Sequence, residues 1–249
     1  MNYKILNEDC IIGMNNLPES SVDLIVTSPP YNLGIKYDVY NDNVDIEEYY
    51  KWTDLWVRSA YRLLKPDGRI CINHYLSCGT SKLRTAPLMR INTIAENIGF
   101  HHHGLAIWDD RTLSKRTAWG SWKSASAPYI NSPHEGILIM YKDHWKKDKK
   151  GTTDIDKDEF MESCSGIWKI STEKKRSVCP APFPVALPLR CIKLLSYEGD
   201  TVLDPFCGSG TTGVACVKTN RNFIGFEISP EYCKHAAMRI DNELFGAST

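Results

Sequence analysis

Apolar residues gather in short runs, separated by stretches with helical spacing, and this alternation continues along most of the chain. Residues 3–7 predict a short strand and 10–17 a short helix. Val22-Asp23-Leu24-Ile25-Val26 predicts a buried strand, halted by Ser28-Pro29-Pro30. Positions 46–64 place apolar and aromatic residues on one helical face, stopped by Pro66 and Gly68, and 69–73 reads as strand. A helix over 87–99 closes on glycine, and strands are predicted at 104–108 and 136–141. Further on come helix 184–195, strand 201–203, helix 211–219, strand 222–226 and helix 230–244, with Ser229 placed to cap the last. Strands separated by helices predict an α/β fold built on a mostly parallel, doubly wound sheet covered on both faces. No internal repeat is visible.

One stretch departs from this rhythm. Residues 143–176 are polar, pass from lysines into Asp154, Asp156, Asp158 and Glu159, and hold only the brief apolar run Gly166-Ile167-Trp168. In an α/β domain such a stretch predicts a surface insertion, either disordered or functional.

Composition narrows the class without fixing it. A chain of 249 residues fits one domain with room for an inserted lobe, and 42% apolar with 24% charged residues is ordinary for a soluble globular protein. No apolar run approaches the roughly 18 residues of a membrane span, and no charged-then-apolar leader opens the chain, so a cytoplasmic protein with no membrane partner is expected. Nine cysteines without zinc-ribbon spacing read as reduced thiols. His101-His102-His103 lacks spaced partners and reads as structural or exposed, so no metal is expected.

The formal net charge of zero argues against a nucleic-acid partner, but its distribution does not. Arg111, Lys115, Arg116, Lys123, Lys142, Lys146, Lys147, Lys149 and Lys150 face only Glu135, Asp143 and Asp148 over 111–150. A solvated face with a lysine-rich loop would account for such a run. Trp108, Trp119, Trp122 and Trp145 interleave with it, and aromatic faces beside basic groups suit stacked bases and phosphates.

Two strings carry the chemistry. The later is Val202-Leu203-Asp204-Pro205-Phe206-Cys207-Gly208-Ser209-Gly210-Thr211-Thr212, a strand, an acid, a small-residue turn and a helix. Gly208, Ser209 and Gly210 let backbone approach a ligand at the carboxyl end of a strand, where open α/β sheets bind. A phosphate loop would end in Gly-Lys-Ser/Thr, and Asp204 would repel phosphate. An acid there suits a cation, and S-adenosylmethionine carries a sulfonium and an ammonium. Glu227, ending the next strand, is placed to accept from two ribose hydroxyls. The earlier string is Thr27-Ser28-Pro29-Pro30-Tyr31-Asn32, after the buried strand.

With both strings the chain resembles the N4-cytosine and N6-adenine amino methyltransferases of DNA, in the permuted order called the beta class, where the catalytic loop precedes the cofactor loop. The resemblance implies a Rossmann-like S-adenosylmethionine fold, with Asp204, Phe206, Gly208, Ser209, Gly210 and Thr211 in the cofactor loop and Glu227 as the ribose carboxylate. It makes Asn7-Glu8-Asp9-Cys10 the adenine segment, Asp9 accepting from the amino group and Cys10 offering its amide. Pro180-Ala181-Pro182-Phe183-Pro184 matches the block that closes over the methionine part, and His134-Glu135 another family block. The implied organisation is a catalytic half over 1–142, with its loop at 27–32 and a basic DNA-facing segment at 109–133. A target-recognition insertion over 143–178 and a cofactor half over 179–249 complete it. Double-stranded DNA is the implied partner, and the family admits a cognate restriction endonuclease and a homodimer.

The resemblance gives the earlier string its chemistry. An exocyclic amine is a poor nucleophile because its lone pair is delocalised into the ring. Acceptors at Ser28 Oγ and the Pro29 carbonyl would hold its two hydrogens and aim the lone pair, with Pro29 and Pro30 fixing the carbonyl. Tyr31 would stack on the base once it leaves the duplex. Serine ahead of the diproline favours cytosine N4 over adenine N6 within the family. An RNA or protein-glutamine methyltransferase, and a silent DNA-binding relative, stay open as alternatives. Arg111, Lys115, Arg116 and Lys123 are the expected phosphate contacts.

Overall fold

In a computed structural model, residues 1–79, 84–109, 120–130, 134–172 and 178–246 are described. In chain order the elements are β1 (Tyr3–Leu6), α1 (Cys10–Asn16), β2 (Val22–Thr27), α2 (Ile46–Leu63), β3 (Leu64–Tyr75), β4 (Cys78–Gly79), β5 (Arg84–Thr85) and α3 (Pro87–Ile98). There follow β6 (His101–Asp109), β7 (Glu135–Tyr141), α4 (Lys157–Ser163), β8 (Ile167–Lys169), α5 (Ala186–Leu195), β9 (Thr201–Asp204), α6 (Thr211–Lys218), β10 (Asn222–Phe226) and α7 (Pro230–Phe245).

One sheet runs in the order β1-β10-β9-β2-β3-β7-β6-β8. It is parallel except around β7, which is antiparallel to both β3 and β6. Strand alternation divides the core in two. Leu24, Val26 and Val202 face a layer with Leu187, Ile192, Val214 and Ile240 from α5, α6 and α7. Ile25, Ile70 and Leu203 face the layer of α1, α2 and α3, with Met14, Trp56, Leu63 and Ile91. Both faces are therefore covered, and the central strand β2 is buried along its whole length.

Local signals explain most boundaries. Asp45 caps α2 by accepting from the Glu47 and Glu48 amides, with both acids at the positive end of the helix dipole. Ser229 caps α7 ahead of Pro230, as expected. The largest boundary difference is β3, which starts at Leu64 rather than 69. Val22 pairs with Leu64 and Leu24 with Arg69, so the intervening residues, with Pro66 and Gly68, bulge out of the ladder. The Pro66 carbonyl accepts from the amides of Asp143 and His144 instead.

Residues 143–172 do more than decorate the surface. Trp168, almost fully buried, places β8 at the sheet edge beside β6 and donates to the Ser163 carbonyl at 3.0 Å. Asp154 pairs at 2.7 Å with Arg221, which has no exposed surface. The polar composition hid the second contact because both of its side chains are charged. His101, His102 and His103 are exposed on β6, with His103 stacked on Trp145 at 3.4 Å between centroids. Among the described residues no helix is long and apolar enough to cross a membrane.

Candidate active site

The order in which the chain visits the parallel strands reverses between β9 and β2, and a cleft opens at their carboxyl ends. It encloses about 950 Å³ counted out to solvent. Asp204 lies at its base, 1% exposed, with both oxygens occupied. Oδ1 accepts from Thr27 Oγ1 at 2.7 Å and the Phe206 amide at 3.1 Å, and Oδ2 from Thr212 Oγ1 at 2.6 Å. Burial lifts its carboxyl to about 6 against those hydrogen bonds. Asp204 therefore braces the base of the cleft that it lines and lends it charge.

The turn above it follows the sequence reading. Gly210 sits at φ +79 as the first cap of α6, and a Cβ there would lie 2.8 Å from the Ala236 Cβ, so neither conformation nor space admits a side chain. The Ser209 carbonyl and hydroxyl both accept from Arg239 Nη1, as does Thr211 Oγ1 at 3.2 Å. Glu227, at the end of β10, accepts from the Gly208 amide at 3.0 Å and the Ser229 amide at 2.8 Å, and burial raises its carboxyl. Asp9 caps α1 through Oδ1, and Cys10 is buried in the first turn, its thiol pushed up by burial. Phe206 meets Trp52 and Trp56 at centroid distances of 5.3 and 5.4 Å. Asp9, Cys10, Asp204, Phe206, Gly208, Ser209, Thr211, Glu227 and Phe183 all line this one cleft, from both ends of the chain. Gly210 stands behind, shaping the turn.

A second cleft adjoins the first and shares Ser28 and Phe183 with it. Ser28 Oγ is 2.8 Å from Tyr31 Oη, which donates to Glu135 Oε2 at 2.7 Å. Asn73 Nδ2 donates to the same carboxylate oxygen at 2.7 Å and to Tyr31 Oη at 2.9 Å. Burial, then the charge of Glu135, hold the Tyr31 phenol well above its ordinary range. Its ring lies 4.2 Å from that of His74, tilted 31°.

The diproline is held from below. Tyr49 Oη donates to the Pro30 carbonyl at 2.7 Å and lies 3.1 Å from His74 Nε2. Because Tyr49 spends its proton on Pro30, neutral His74 must donate from Nε2. Burial pulls that imidazole down to about 3, which keeps it neutral.

Sequence reasoning missed several residues here. The loop over 33–44 covers the first cleft with Tyr37 and Tyr40 and is gathered on buried Asp42, which accepts from the amides of Asn32, Leu33 and Ile35. Its Asp38 accepts from Ser229 Oγ at 2.5 Å. No periodicity marks such a loop. Tyr49 and Asn73 read only as members of a predicted helix and strand, and Glu135 only as part of a block. Of the expected phosphate contacts, Arg111, Lys115 and Arg116 lie outside the described residues. Lys123 is exposed, its Nζ 5.8 Å from the ring of Trp122, itself 67% exposed. Trp119 also lies outside the described residues. Trp145 is committed to packing under Arg69 and against His103, while Trp108 lines the second cleft and donates to the Ile170 carbonyl.

Comparison with known proteins bears on this arrangement. A family model described as DNA methylase matches residues 22–238. The type II methyltransferase M.MjaVI of Methanocaldococcus jannaschii is 45% identical over 163 residues, 66% of this chain and 84% of that protein. M.HpaI of Haemophilus parainfluenzae is 30% identical over 263 residues, 99% of this chain and 76% of that protein. Among solved structures, the DNA modification methylase assigned as TTHA0409 from Thermus thermophilus, complexed with S-adenosyl-L-methionine, superposes with a TM-score of 0.77. It is 28% identical, and the match covers 98% of this chain and 95% of that one. The cytosine-N4-specific PvuII DNA methyltransferase shares the fold at a TM-score of 0.75 and 24% identity, over 96% of this chain and 86% of that one.

Proposed function

The chain belongs to the N6/N4 DNA methylase family, and on that premise we propose that it transfers a methyl group from S-adenosylmethionine to the exocyclic N4 of cytosine in duplex DNA. The observation that carries the reading is that Ser28 lines both clefts, so a group held in one meets a group held in the other.

The first cleft fits the cofactor by its donor set. Glu227 would take the ribose hydroxyls, Asp9 Oδ2 and the Cys10 amide the adenine edge, with Phe206 as apolar wall. The turn of Gly208, Ser209, Gly210 and Thr211, backed by the charge of Asp204, suits the cationic end, and Phe183 closes the side toward the second cleft. Bound there, the cofactor supplies a methyl group made electrophilic by its sulfonium.

The remaining work falls to the chain. Ser28 Oγ and the Pro29 carbonyl accept the two amino hydrogens and turn the nitrogen lone pair toward the first cleft. Tyr49 occupies the Pro30 carbonyl, which keeps the diproline in one orientation. Tyr31 gives the extruded base a wall to stack on, meeting part of the few kcal/mol that flipping costs. Serine at position 28 is what supports cytosine over adenine N6. Arg111, Lys115, Arg116 and Lys123 bind phosphates in this reading, and residues 143–178 contribute to target recognition. A cognate restriction endonuclease, a homodimer and a cytoplasmic location complete it.

Incubation with labelled S-adenosylmethionine and unmethylated genomic DNA, followed by nucleoside analysis, tests the proposal. N4-methylcytosine is expected, and N6-methyladenine would move the assignment to the other base. Ser28→Ala is expected to bind cofactor as the native chain does and to lose about 100-fold or more in transfer.

A further inference from the structure

Three polar side chains stand in line from the wall shared by the two clefts: Ser28 Oγ, Tyr31 Oη at 2.8 Å, and Glu135 Oε2 a further 2.7 Å on. Taken alone, the Ser28–Tyr31 contact has no direction, since either hydroxyl can donate. The far end gives it one. An ionised carboxylate only accepts, so Tyr31 spends its single proton on Glu135, and its oxygen is left to accept from Ser28. Asn73 enforces the same sense, because its Nδ2 donates to both Glu135 and Tyr31 and cannot accept. The Asn73 backbone carbonyl, at 3.4 Å from Tyr31 Oη, is too distant to compete with the carboxylate. The Ser28 proton is thereby committed, and its lone pairs face the cleft.

We infer that Glu135, acting through Tyr31, is a specificity-determining positioning residue that fixes Ser28 as an acceptor, so that the site takes a base presenting an amino group and rejects one presenting a carbonyl at the same position. The inference rests on the methyltransferase reading. Cytosine differs from uracil, and adenine from hypoxanthine, by donor against acceptor at that atom. A carbonyl facing Ser28 would set acceptor against acceptor in a desolvated cleft, and neither group would be satisfied. The acceptor needed to handle the amine is then also the filter that refuses its deaminated counterpart.

The test is equilibrium binding, with S-adenosylhomocysteine present, to two duplexes carrying the sequence that the native chain methylates. One holds the native target base and the other its carbonyl analogue, uracil or hypoxanthine. The native chain, Tyr31→Phe, Glu135→Met and the double variant are compared. The native chain should prefer the amine by about tenfold or more. Each single variant should lower that ratio severalfold, to the part that the fixed Pro29 carbonyl alone retains, and the double should fall no further, because both cut one chain. Easier extrusion of a mispaired base affects all four proteins alike and cancels between them. Affinity for S-adenosylhomocysteine alone, set at the first cleft, should not change and reports folding. Should Glu135→Met lose it, Tyr31→Phe carries the test alone, since its ring keeps the contact with His74. A native-like ratio in either single variant overturns the inference while leaving the methyltransferase reading intact. A native chain that methylates no amino base overturns both.

Discussion

Thr27 Oγ1 donates to Asp204 Oδ1 at 2.7 Å, joining residues 177 apart in sequence at the ends of neighbouring central strands. Thr27 immediately precedes the Ser28 loop, and Asp204 opens the glycine turn. One buried hydrogen bond thus ties the two loops together where the β2–β9 ladder ends, a bond that a valine of the same shape could not make.

Thr27→Val keeps the shape and removes the donor. It should cost about 1–3 kcal/mol in denaturant unfolding, because a buried carboxylate oxygen loses a partner, and should weaken cofactor binding as the turn loosens. An unchanged unfolding midpoint would show that the hydrogen bond has no net worth.

Cofactor affinity should fall as pH drops through about 6. Burial holds Asp204 there in the free protein, and protonation removes the negative charge that favours a cationic ligand. The affinity lost is limited to about tenfold per pH unit. Titration calorimetry between pH about 5 and 8 checks the slope. Asp204→Asn should bind more weakly at neutral pH and lose much of the dependence, with the part due to Glu227, also raised by burial, left behind.

His74 predicts an acid limb in stability. Its folded value near 3 lies below the unfolded 6.5, so its contribution is complete above about 6.5 and is lost as pH falls toward about 3, at up to about 1.4 kcal/mol per unit. Asp204 acts in the opposite sense between its ordinary value of 3.8 and about 6, because a raised carboxyl is relieved by protonation. The comparison is therefore between variants. His74→Gln should be less stable than the native chain at pH about 8 and lose less on acidification, read by urea midpoints across the range.

Neutralising Arg116 and Lys123 together should weaken binding to all DNA sequences alike. Each phosphate contact removed lowers the slope of log affinity against log salt by about 0.9. Fluorescence anisotropy at several salt concentrations measures this, and an unchanged slope would place the phosphates elsewhere.

The strand-and-helix rhythm was legible because it rests on local pattern: β2 is apolar apart from Asp23 and the closing Thr27, and α7 announces itself with Ser229 and Pro230. The glycine turn was legible because Gly210 answers a local steric demand. Glu135 was not, since its meeting with Tyr31 and Asn73 depends on the antiparallel register that sets Tyr75 opposite Glu135. Registers between strands about sixty residues apart leave no trace in local spacing. The packing of 143–172 was hidden for a related reason. Asp154 reads as surface until its partner, Arg221, is found to be buried.

The reversed strand β7 has a consequence for how such a protein can change. Because it runs against β3 and β6, its first residue, Glu135, stands at the edge where β6 ends with Asp109 and β8 with Lys169. The chain between 109 and 135 leaves and returns at the edge that holds both clefts, and the chain after 169 departs from it. Residues can therefore be inserted or exchanged in those connections while the ladders keep their pairing and Glu135 keeps its place opposite Tyr75.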